Sequence, residues 1–171
     1  VAIALLLAML SALTSLAQAE VAQKGNLRVS FEGKIAPHAL PRQGAAPVAV
    51  SLGGQVATTD GSQPPQLQKI QIELNRVGNL DYNGLPACRI DQIQPATTQN
   101  ALRACGASKV GEGSFAANVA IPEQSPFPSD GELVAFNGTE DGKPVIFAHV
   151  YGTEPLPTSF TLALRISKAK G

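Results

Sequence analysis

Cys88 and Cys105 are the two thiols of a 171-residue chain that contains no third. Sixteen residues lie between them. A redox pair favours C-x-x-C spacing and a nucleophilic thiol needs a nearby His as base, and neither pattern is present. In an oxidising compartment the simplest outcome is one disulfide, which serves as a staple. Closing a loop of this length is worth about 3 kcal/mol in the chain-entropy model. The alternatives are a reactive thiol or two unpaired thiols.

The other chemistry-bearing residues form no familiar constellation. His38 and His149 are far apart and belong to no H-x-H or H-E-x-x-H spacing, so neither a metal nor a cofactor is expected. His149 lies in Val145–Tyr151, a run apolar on both faces, which predicts a hydrogen-bonded core histidine. His38, in Ala36–Pro41, reads as part of an extended surface segment. Ser114 follows Gly113 but lacks the G-x-S-x-G frame of a nucleophile elbow. The 13 acids could supply a glycosidase pair only by meeting in space. Asn137-Gly138-Thr139 has the pattern of a glycosylation acceptor and equally of a turn. Leu156-Pro157-Thr158-Ser159 resembles a wall-sorting signal but lacks its Gly. Thirteen basic and 13 acidic residues give zero formal charge, and no Lys/Arg run is present to neutralise a row of phosphates. Nucleic acid is thereby excluded as the expected partner, and electrostatic docking on anionic lipid is disfavoured.

The compartment follows from residues 1–19. Val1–Leu10 is wholly apolar, Ser11–Ala19 is uncharged, and the stretch ends in Ala17-Gln18-Ala19. An apolar run closed by a small-x-small site predicts a secretory signal cleaved between Ala19 and Glu20. A membrane anchor is the rival reading, since the stretch nearly matches a bilayer span. The chain opens with Val and lacks the basic residues that lead a signal, so it reads as truncated at its N-terminus. No stable membrane span is expected once the signal is removed. The remainder, 20–171, has the length of a single domain.

That domain reads as all-β, an antiparallel sandwich or barrel with one short helix between the cysteines. Leu27–Glu32 alternates apolar and polar with period two. Val48, Val50 and Leu52 do the same, with a bulge or bend expected at Gly53-Gly54 before Val56 and Thr58. Further strands are expected at Ile70–Leu74, Phe115–Ile121, Leu133–Phe136, Val145–Tyr151 and Phe160–Ile166, with Asn137–Gly142 as a hairpin connector. Between the cysteines, Thr97 or Thr98 can cap a helix over Gln99–Cys105, ended by Gly106. So short a helix needs packing to persist.

Several short motifs carry a resemblance. They are Leu40-Pro41-Arg42, Pro47-Val48, Thr59-Asp60-Gly61 ahead of Pro64-Pro65, Gly84-Leu85-Pro86-Ala87-Cys88 and Ala104-Cys105. With them stand Val110-Gly111-Glu112-Gly113, Phe136-Asn137 and Tyr151-Gly152-Thr153-Glu154-Pro155. Together they resemble a family of secreted actinobacterial proteins with no assigned function. The resemblance implies export and further strands beyond residue 171, so that the C-terminus is truncated and the Phe160–Ser167 strand lacks a neighbour.

Three functions are in play. A noncatalytic exported β-domain, acting as an envelope-associated or extracellular binding or structural module, leads because the sequence offers folding and stapling without a reactive constellation. The alternatives are a carrier of a small apolar ligand and a secreted hydrolase built from dispersed acids and His149. A ligand surface would fall on loops. The candidates are Ile35–Pro47, which contains His38, and Pro122–Gly131, where Pro126 and Pro128 stiffen the display of Phe127.

Overall fold

A computed structural model of the protein describes residues 19–37, 39–65, 81–119, 125–153 and 157–166. The chain divides into two compact units, Val1–Gln71 and Ile72–Gly171. The architecture is all-β, two antiparallel sheets, with a short helix between the cysteines.

The first unit holds β1 (Ala19–Lys24), β2 (Leu27–Ala36) and β3 (Ala49–Thr58), in that order across the sheet. Gly25 and Asn26 join the first two. Gly25 has φ of 61°, the left-handed value that a two-residue hairpin turn places at its first position. The sequence reading missed β1, because Ala, Glu, Gln and Lys have low strand propensity and only the Gly-Asn pair signals the hairpin. Period two sorts the β2 residues onto opposite faces: Leu27, Val29, Phe31 and Ile35 on one, Arg28, Ser30, Glu32 and Lys34 on the other. The bulge expected at Gly53-Gly54 is absent, and pairing runs without interruption from Leu27 opposite Thr58 to Ala36 opposite Ala49. The glycines instead make room for the larger side chains across from them. A Cβ on Gly53 would lie 3.0 Å from the Glu32 carboxylate, and Gly54 stands opposite Phe31.

The second unit begins with α1 (Ile90–Ile93) and α2 (Thr98–Cys105), continues through a 3-10 turn at Gly106–Ser108, and then forms a meander. Its strands are β4 (Lys109–Val119), β5 (Phe127–Glu140), β6 (Lys143–Gly152) and β7 (Thr158–Arg165), ordered β4-β5-β6-β7. Thr97 caps α2 through its hydroxyl, which accepts from the Asn100 backbone N–H at 3.2 Å. Gly106 does not end the helix in the left-handed conformation; its φ is −57° and the chain passes directly into the 3-10 turn. Asp141 and Gly142 alone turn β5 into β6, with φ of 51° and 72°, the pair of positive values a type I′ turn requires. The expected six-residue connector is therefore mostly strand. Asn137 and Gly138 cannot turn there because they are held elsewhere. The Cys88 N–H donates to the Asn137 carbonyl at 2.8 Å, and the Asn137 side-chain amide donates to the Pro86 carbonyl at 3.0 Å.

The core of this unit gathers Cys88, Ile93, Ala101, Cys105, Val134, Phe136, Val145 and Phe147. The two helices and the cysteines thus lie over one end of one sheet face. On the opposite face, Phe115 of β4 and Phe160 of β7 meet edge to face, with ring centroids 5.0 Å apart. The expected strand at Ile70–Leu74 lies outside the described residues.

Candidate functional site

The second sheet's core face changes character along its length. At one end it is sealed by the disulfide, which spans 5.6 Å between Cα atoms. Cys88 is 1% exposed and Cys105 4%, so the bond is part of the packed interior. At the other end the register sets Ser114, Glu132, Tyr151 and Ser159 in one row across the four strands. Between the two lies a row of Glu112, Val134, His149 and Thr161.

His149 is the boundary residue. It is 0% exposed, flanked in register by Val134 and Thr161, with Phe147 and Tyr151 on the same face of its own strand. Its Nδ1 is 3.5 Å from the Thr161 hydroxyl, too long for a strong hydrogen bond, and its Nε2 has no partner among the described residues. The expectation of a core histidine is met in burial and only weakly in hydrogen bonding. Burial pushes its pKa below the usual imidazole value by disfavouring the charged form. The acid in its own row, Glu112, is exposed and bound to Lys109 at 2.6 Å, which lowers its pKa first by that hydrogen bond and then by the charge. The geometry keeps the imidazole away from solvent.

A second polar region lies on the first unit. Arg28, Ser30, Gln55, Ala57, Thr58 and Thr59 line a shallow cleft of about 440 Å³ on the hydrophilic face of β2 and β3. Arg28 pairs across the sheet with Ala57, and Ser30 with Gln55, so a small residue beside the guanidinium forms the depression. No acid among the described residues lies within ion-pair distance of Arg28. Next in the chain, the Asp60 carboxylate accepts from the Ser62 hydroxyl, the Asn26 amide and the Ser62 N–H, which hold its pKa well below the usual carboxylate range. The lining combines a guanidinium with hydroxyl and amide groups. The sequence reading passed over these residues. Strand alternation was the available signal, since it alone places Arg28 and Ser30 on one face.

The residues singled out from sequence are dispersed. Phe127 opens β5 opposite Val119 and is half-buried, so it belongs to a strand and not to the loop expected at 122–131. Pairing with β4 begins there because the flanking prolines favour extended backbone. His38 lies outside the described residues, as do residues 1–18; Ala19 begins β1 and Glu20 is exposed. Among the described residues no group of three or more His, Cys, Asp or Glu could hold a metal ion, and no helix is long and apolar enough to cross a membrane. Comparison with protein-family models, with curated proteins and with solved structures finds no match to this chain.

Proposed function

We propose that this chain is a noncatalytic exported β-domain that serves, at the cell envelope or outside the cell, as a binding or structural module. The Cys88–Cys105 bridge carries the reading. It lies inside the core, between two short helices and the sheet, and a bond on which packing depends suits an oxidising compartment. The cleft around Arg28 supports the binding half of the proposal. The hydrolase alternative draws on dispersed acids and His149, and a fully buried imidazole between Val134 and Thr161 speaks against the His149 part of it. The cleft's polar lining gives the apolar-carrier alternative no support.

Fractionation of the producing cells, with peptide mapping under non-reducing conditions, tests the location. The expected result is extracytoplasmic protein whose Cys88 and Cys105 peptides are linked and whose N-terminus is Glu20. Cytosolic protein with two free thiols contradicts the proposal. Binding is tested by sedimenting the purified protein with isolated envelope. Loss on Arg28→Ala and retention on Phe127→Ala is expected; equal retention in both removes the cleft as the binding surface.

A further inference from the structure

We propose that His149 is an acid-sensitive latch that holds β7 on the sheet and releases it when the imidazole gains a proton. The geometry is that of a polar ring closed into the seam between the last two strands. In the neutral ring one nitrogen faces the Thr161 hydroxyl across that seam, and the other has no hydrogen-bond partner among the described residues. Protonation makes both nitrogens donors and adds a charge in a place with one weak acceptor.

The surroundings do not offset that charge. On β5, Val134 stands directly opposite, and Glu132 lies one row away, exposed to water. On β4, Glu112 shares the row but is committed to Lys109. On β6 itself the neighbours on that face are Phe147 and the Tyr151 phenol. From β7 come Thr161, Ser159 and Ala163, with Arg165 farther along, bound to Glu140. The helices contribute Ile93, Ala101 and the disulfide to the adjacent core.

Which strand yields follows from burial. β5 and β6 contain Val134, Phe136, Val145, Phe147 and Val150, all buried, whereas no residue of β7 is buried. Local opening draws on the element with the fewest buried contacts, so β7 separates before the β5–β6 pair does. The sign is fixed by the lowered pKa of the folded ring. The latch is closed above 6.5, the value of a solvated imidazole, and opens as pH falls below it.

Amide hydrogen exchange of the whole chain, corrected for the intrinsic effect of pH, tests the latch. Between about pH 7.5 and about pH 5, β7 is expected to lose protection relative to β5. In His149→Leu the ratio is expected to stay constant. An equal fall in wild type and variant overturns the proposal. Should His149→Leu fail to fold, NMR titration of the wild-type imidazole decides. A midpoint below 6.5 that coincides with the loss of β7 protection supports the latch, and a midpoint at or above 6.5 overturns it.

Discussion

Phe115 and Phe160 stand on the two outermost strands of a four-stranded sheet, yet their rings touch edge to face. Strands spaced at about 4.8 Å would leave such residues far apart on a flat sheet. The sheet closes the distance at Gly131 and Gly152, which face each other in register between the two aromatics. The backbones there approach so nearly that a Cβ on Gly131 would lie 2.8 Å from the Tyr151 carbonyl carbon, and one on Gly152 3.1 Å from the Asp130 carbonyl oxygen. Glycine in a strand often marks such a bend, and here the bend assembles the aromatic pair.

Gly131→Ala should therefore destabilise the protein by about 3 kcal/mol, because the contact is with backbone that cannot rotate away. Gly113→Ala, where a Cβ meets nothing within 4 Å, should change stability little. Urea denaturation of both variants makes the comparison. Similar midpoints would contradict the account.

Gly138 has the second crowded position. A Cβ there would lie 2.5 Å from Phe147 Cδ2 and 2.9 Å from the Cys88 carbonyl oxygen. Gly138→Ala is expected to push the 86–88 segment off the sheet edge, and the amide of Cys88, which donates to Asn137, should lose its protection from exchange. The same packing predicts that Asn137 in the folded protein is a poor glycosylation acceptor, since its amide is already bound to Pro86.

Reduction of the Cys88–Cys105 bond should cost about 3 kcal/mol in the chain-entropy model. Both sulfurs are buried, so a mild reductant should react slowly with the native protein and quickly in denaturant. Thiol counting against time reads this out, and rapid native reduction would place the bond nearer the surface than its packing indicates.

Thr97→Ala should lower stability by about 1 kcal/mol through loss of the helix cap. Thr97→Ser, which keeps the hydroxyl, should recover most of it. Thermal unfolding monitored by circular dichroism distinguishes the two.

Asp60 supplies the acid-range prediction. Its folded pKa is depressed below 3.8 first by the Ser62 hydroxyl, then by Asn26 and the Ser62 N–H. A depressed carboxylate contributes stability above its unfolded pKa, and the contribution is lost as pH falls through the folded value. The Ser62 amide resonance should accordingly titrate with a midpoint below 3.8, and Asp60→Asn should abolish the transition. A wild-type midpoint at or above 3.8 would show that the three hydrogen bonds do not form together in solution.

Much of the fold was legible in local pattern. Leu27–Glu32, Phe115–Val119 and Phe160–Arg165 alternate with period two and are strands, Val145–Tyr151 is a strand apolar on both faces, and Thr97 ahead of Gln99–Cys105 signalled its helix. These features depend on neighbours in the chain, so the sequence alone determines them. Asn137-Gly138 looked like a turn and is strand, because its partners, Pro86 and Cys88, are 50 residues earlier in the chain. The Arg28 cleft and the burial of His149 depend equally on which strand lies beside which. Register across strands is set by packing between distant segments, and only the tertiary structure decides it.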